Sequence, residues 1–184
     1  MNLRQQERSV ASQQQFGGRH RGYRAIIVTA LCLTVSFPAF ALDSLGVFGS
    51  WGAFRDATHG RCYAIAQPVR GAARAAWKPF ASVADWPGHG ARDQVHIRLR
   101  ALPRAKAAIT LSIGDRHFTL TGGGADAWAP DARGDAAIVA AMRSGSSMSV
   151  ETVDARGRPL VDVYQLRGAA TAIDAAALAC ARLR

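Results

Sequence analysis

Cys62 and Cys180 are the residues of this 184-residue chain with the most chemistry open to them. A cysteine can ligate a metal, attack a substrate or bond to a second sulfur. A metal site needs further ligands at set spacings, and His59, His89, His96 and His117 form no HxxxH or CxxC pattern with them. No metal or cofactor is expected. A hydrolase needs a nucleophile and a base in one pocket. RSGSSMS (143–149) is not a G-x-S-x-G elbow, and Glu151 is the one glutamate after residue 41, so carboxylate pairs could be chosen only arbitrarily. The three glycines of TGGGADAWAPDARG (121–134) are not followed by the Lys-Ser/Thr of a phosphate loop. No catalytic residue is assigned, and the expectation is a non-enzymatic protein, with a small hydrolase as an alternative.

The compartment decides between the remaining uses of the cysteines. Residues 1–24 are polar and carry Arg4, Arg8, Arg19, Arg21 and Arg24; AIIVTALCLTVSFPAFA (25–41) is almost wholly apolar and ends in Ala39-Phe40-Ala41. Basic region, apolar region and small-residue site in that order read as a secretory signal peptide over 1–41, cut between Ala41 and Leu42. The apolar run is shorter than the ~20 residues a spanning helix needs, and Pro38 interrupts it. No transmembrane segment is therefore expected after processing, and the location is periplasmic or secreted. Processing removes Cys32. Two cysteines in an exported domain most simply form one disulfide, Cys62–Cys180, with free thiols or intermolecular pairing as the alternatives.

Residues 42–184 are 143 residues, one domain with a single core. They hold 18 Lys and Arg against 12 Asp and Glu, a net charge of +6. That excess suits an acidic surface such as lipid headgroups or lipopolysaccharide, or is simply a solvated basic surface, since no Lys/Arg block occurs. The partner is an unknown envelope component or acidic surface. Nucleic acid is disfavoured by the compartment. Aromatics close to a cation, Trp51 and Phe54 with Arg55 and Trp77 with Lys78, are candidates for a contact patch. Large aromatics beside a strand usually pack inward, which argues for core positions at Trp51 and Phe54.

The elements that must position these residues are mostly strands. LGVFGSWGAFRDATHG (45–60) reads as a short strand and a loop, CYAIAQP (62–68) as a strand ended by Pro68, and FASVADW (80–86) as another. The segment 69–78 is ambiguous between a loose connection and a helical turn. QVHIRLRAL (94–102) alternates, with Val95, Ile97 and Leu99 on one face and His96, Arg98 and Arg100 on the wet face. AITLSIGDRHFTL (108–120) is a hairpin turning at Gly114-Asp115, which pairs Ile113 with Arg116, Leu111 with Phe118 and Ile109 with Leu120. That register makes His117 a surface cross-strand partner. Residues 121–134 are turn-rich, 135–145 a short helix, 147–167 a second hairpin, and 171–184 an Ala-rich helix that turns Ile173, Ala177 and Cys180 to one side. Six to eight strands and two short peripheral helices fit an all-β fold, an antiparallel β-sandwich or compact barrel.

In this order the chain resembles the invasion-associated locus B family of bacterial exported proteins. The motifs are FGSWGAFRD, RCYAIAQP and the ending MRSG…SMSVETVDARGRPLVDVYQLRGAATAIDAA, with Trp51, Cys62, Tyr63, Gln67, Gly145, Leu166, Gly168 and Ala172 in the family's places. The resemblance spans most of residues 42–184 through short motifs. It implies an exported binding domain without established catalytic residues, and for some members a role in host-cell entry. Arg55 stands where many members carry a cysteine, and their mid-chain cysteine pair is absent. A structural or chaperone-like subunit that adds a strand to a partner is a further alternative.

Overall fold

The computed structural model describes residues 42–69 and 77–181. The leader expected over 1–41 and most of the ambiguous 69–78 segment lie outside the described residues. Ten strands and two helices follow in order: β1 Asp43–Phe48, β2 Trp51–Asp56, β3 Arg61–Ala66, β4 Phe80–Trp86, β5 Ala91–Arg98, β6 Ile109–Ile113, β7 Arg116–Gly123, β8 Asp126–Trp128, α1 Ala132–Ser144, β9 Ser147–Val153, β10 Pro159–Gln165 and α2 Ala169–Ala181. The strands form one antiparallel sheet in the order β1-β2-β3-β4-β5-β8-β7-β6-β9-β10, curled into a half-barrel. The β-rich fold with two short helices is the one the sequence predicts.

Strict alternation places the core on the concave face. Ala53, Ala64, Val83 and Val95 form one cross-strand row from β2 to β5, and all four are buried. The alanines in that row let α2 approach closely with its own small face, Ala169, Ala172, Ile173, Ala176 and Cys180. α1 buries Ile138, Val139, Ala141 and Met142 against the same core. Asp131 caps its first turn by accepting the Gly134 N–H at 2.7 Å, which starts the helix three residues earlier than predicted. Buried Asp135 accepts the Val95 N–H at 2.8 Å, a backbone donor of β5 beyond the reach of the three-residue β8. Burial raises the Asp135 carboxyl above its usual range.

The hairpin β6–β7 has the predicted register residue for residue. His117 faces Ser112, with Nδ1 2.9 Å from its hydroxyl, on the solvent side. The β9–β10 hairpin lies within the predicted 147–167. Two strands exceed the sequence reading. Residues 45–60 are not a strand and a loop but the hairpin β1–β2, closed by the pair Phe48–Trp51 around Gly49-Ser50. Gly46, Gly49 and Gly52 interrupt the alternation there and conceal it. β8 sits inside the turn-rich 121–134 and bridges β5 to β7. The far ends of the sheet also meet. Ser50 N–H donates to the Arg167 carbonyl at 3.0 Å, and the Trp51 indole N–H donates to the Gln165 carbonyl at 2.8 Å. A single curled sheet filled by helices therefore replaces the two stacked sheets of a sandwich.

Candidate binding face

The sulfurs of Cys62 on β3 and Cys180 on α2 are bonded, with Cα atoms 5.6 Å apart at a sequence separation of 118. Both cysteines are buried beside Ala176. Cys62 is a staple between sheet and terminal helix, on the concave face with Ala64 and Ala66. Among the described residues no group of three or more His, Cys, Asp or Glu is placed to hold a metal ion.

Because strand side chains alternate, the residues next to the core positions form the convex face of β2–β5 and β8. Neither helix covers it. It carries two aromatic clusters laced with arginine. In the first, the rings of Phe54 and Tyr63 stack across β2 and β3, with centroids 5.6 Å apart. The Arg61 guanidinium lies 5.0 Å from the Tyr63 ring centroid and 5.1 Å from that of Trp86. Asp56 holds this arginine through Arg61 Nε at 3.1 Å and also takes His59 Nδ1 at 2.8 Å. The histidine hydrogen bond, with help from Arg61, lowers the Asp56 carboxyl against the opposing effect of burial. Burial raises the Tyr63 phenol. His89, in the turn after β4, meets Trp86 edge-on at 6.1 Å.

In the second cluster, β5 places His96 between two rings. The Trp128 indole lies parallel to it at 5.1 Å and Phe80 meets it edge-on at 5.1 Å. His96 Nε2 donates to Asp126 Oδ1 at 2.8 Å. The side chains of His96 and Asp126 are 26% and 22% exposed. Arg98 stands beside the same carboxylate at 3.8 Å and reaches toward Trp77, its guanidinium 5.9 Å from that ring centroid. Trp77 is fixed by its indole N–H, which donates to the Leu99 carbonyl at 2.6 Å. Ser82 lies directly opposite His96 on β4, and its hydroxyl donates to the His96 backbone carbonyl at 3.4 Å.

The residues singled out from sequence divide in two. Trp51 is 0% exposed in the core and offers no surface to a partner. Its position just inside the β1–β2 turn points it to the concave face, which corrects its place in the contact patch and agrees with the inward-packing argument. Phe54, for which the same argument predicted a core position, is instead half-exposed on the convex face with Tyr63. Arg55 is bound to Asp43 on β1 through a close ion pair. Trp77 joins the second cluster, and Lys78 next to it is exposed. His96, predicted as a solvated histidine, is packed between rings because β8 supplies Trp128. Arg61, Tyr63, Trp86 and Trp128 were absent from the predicted patch. Alternation could have found Tyr63, since it must face away from Cys62.

Compared with family models, curated proteins and solved structures, the chain matches none.

Proposed function

We propose that the chain is an exported domain, periplasmic or secreted, that acts by binding an envelope component through the convex face of β2–β5 and β8. The observation that carries this reading is that neither helix covers this face, where stacked rings alternate with Arg61, Arg98 and His96 among the described residues. Trp, Tyr and Arg are the side chains that most often dominate binding energy, and here they are gathered, partly exposed, in two clusters on one face. Rings on a rigid sheet present flat apolar area at little entropic cost, and the guanidiniums between them meet acidic groups. The buried disulfide is compatible with an oxidising compartment, and no helix among the described residues is long and apolar enough to cross a membrane. The signal peptide over 1–41 and the resemblance to invasion-associated locus B proteins belong to the same proposal.

One observation favours a second reading, a hydrolase: Ser82, His96 and Asp126 stand on three neighbouring strands. The geometry favours binding over it. The Ser82 hydroxyl is directed to a backbone carbonyl and not to the imidazole, and the His96 ring is clamped between Trp128 and Phe80.

The test is co-sedimentation of the protein with isolated cell envelopes, comparing wild type, Trp128→Ala and Tyr63→Ala, together with exposure to a fluorophosphonate probe. The expected result is retention by wild type, its loss in both variants, and no labelling. Equal retention of all three proteins would overturn the binding face, and labelling that disappears in Ser82→Ala would replace binding with hydrolysis.

A further inference from the structure

At one end of the sheet, next to Trp77 of the second cluster, two loops lie side by side, and their chemistry is that of a lipid-docking surface. The loop 99–108 joins β5 to β6, and 154–158 joins β9 to β10. An isolated antiparallel bridge between Pro103 and Asp154 ties them together. Arg104 N–H donates to the Val153 carbonyl at 2.8 Å, and Ala155 N–H to the Leu102 carbonyl at 3.1 Å. The Arg104 guanidinium rests over Gly157, where a Cβ would collide with it.

The charge on this end is one-sided. The loops bring Arg100, Arg104, Lys106, Arg156 and Arg158 against one carboxylate, Asp154. Asp154 is turned inward and is 8% exposed; it is occupied by the N–H groups of Arg156 and Arg158 and by Arg158 Nε. Arg100 is spoken for by Asp162 at 3.2 Å. Arg104, Lys106 and Arg156 are exposed and have no ion-pair partner among the described residues. Between them Leu102 stands out, 52% exposed, on the shared wall of two clefts that take in Trp77 and Arg156 on one side and Arg104 and Lys106 on the other. Lys106 also holds a left-handed backbone conformation, φ 63°, in a turn closed by Ala107 N–H on the Arg104 carbonyl. Glycine would take that conformation without strain, so what the lysine adds there is its side chain.

We infer that this end docks on an anionic phospholipid surface. A protruding leucine with a tryptophan beside it, ringed by cations, matches a membrane interface in which apolar side chains enter between headgroups and cations meet phosphates. An acidic protein would meet the same charge but leave Leu102 without a place to insert. The inference rests on the binding reading above only for its setting in the envelope.

The experiment is flotation of the full chain with vesicles of phosphatidylcholine and phosphatidylglycerol in equal parts, and with phosphatidylcholine alone. The variant R104Q/K106Q/R156Q is set against R92Q/R116Q/R133Q, which removes the same charge elsewhere and shares the chain's residues 1–41. Near an anionic surface each cation contributes about fivefold to affinity, so the loop variant is expected to bind the mixed vesicles about 100-fold more weakly. The control variant changes binding far less, and Leu102→Ser weakens it about tenfold. Salt weakens wild-type binding. Equal binding to both vesicle types, no binding to either, or equal losses in the two charge variants would overturn the inference. If Trp128→Ala abolishes envelope retention and leaves vesicle binding intact, the two surfaces act separately. If the convex-face variants change nothing while the loop variant loses vesicle binding, the earlier reading fails and this one stands.

Discussion

The imidazole of His96 and the indole of Trp128 lie face to face across the β5–β8 pair, with ring planes 6° from parallel. This contact joins the shortest strand of the sheet, β8, to β5. It also completes the second aromatic cluster. Trp128→Ala is expected to lower stability by about 1–3 kcal/mol, because the ring is only half-buried and aromatic pairing adds to its area. Trp128→Phe keeps most of that stability. Urea denaturation of the two variants measures the difference, and equal losses would show that the stack contributes little.

The disulfide closes almost the whole described domain. For a loop of 118 residues, constraint of the unfolded chain is worth roughly 4–5 kcal/mol in the chain-entropy model. Cys62→Ala and Cys180→Ala should each lower the denaturation midpoint by the same amount, since either breaks the same link. Alkylation should modify both sulfurs after reduction and neither before it. Reaction without reductant would dismiss the staple.

Arg100 and Asp162 form the most buried ion pair among the described residues. Asp162 is 0% exposed and accepts the Arg100 N–H at 3.4 Å as well as facing its guanidinium. Burial raises the Asp162 carboxyl and Arg100 opposes the shift. A carboxyl raised by folding contributes stability that is fully present below its unfolded pKa of about 3.9 and is lost as pH rises through the folded value. Arg100→Met removes the opposing charge, so it should cost about 3–5 kcal/mol near neutral pH and distinctly less at about pH 4. The double variant R100M/D162L should recover much of the loss. Denaturation curves at the two pH values decide it; a pH-independent cost would remove Asp162 from the explanation.

Gly168 immediately precedes α2 with φ 89°, and a Cβ there would run into the Phe48 carbonyl. The same contact seats the β1–β2 turn on the end of β10. Gly168→Ala is therefore expected to destabilise by roughly 2–4 kcal/mol, combining left-handed strain with a backbone collision. Gly114, at φ 56° in an open turn, is the control: Gly114→Ala should cost about 1 kcal/mol. Thermal unfolding of both variants separates strain from collision, and equal losses would mean that the collision is relieved.

Much of the fold was legible because alternation is a local property. Val95, Ile97 and Leu99 reveal β5, and the Gly114-Asp115 turn sets the β6–β7 register, with no reference to distant residues. β8 was not legible: Asp126–Trp128 is too short to show alternation, and it is a strand only because β5 and β7 lie on either side of it. The candidate face fell between these cases. Tyr63 must oppose Cys62 on any strand and shares its face with Arg61 two residues away, but its neighbours Phe54 and Trp86 come from other strands, β2 and β4, whose adjacency a short window does not show. Trp51 and Phe54 show the cost of judging side chains one at a time. They sit three residues apart on one strand, so they must face opposite ways, and a common inward prediction could hold for only one.

The sequence by itself determined most of the strands, the hairpins β6–β7 and β9–β10 and the two helices, because period and turn chemistry are written in consecutive residues. It also left Cys180 as the simplest partner for Cys62. Only the tertiary structure decided which face the helices cover. That choice followed the row Ala53, Ala64, Val83 and Val95, where small side chains let α2 close on the sheet. It left the opposite face open with its rings and arginines. The meeting of the loops around Leu102 was likewise decided in three dimensions, because the bridge from Pro103 to Asp154 joins segments that the sequence holds fifty residues apart.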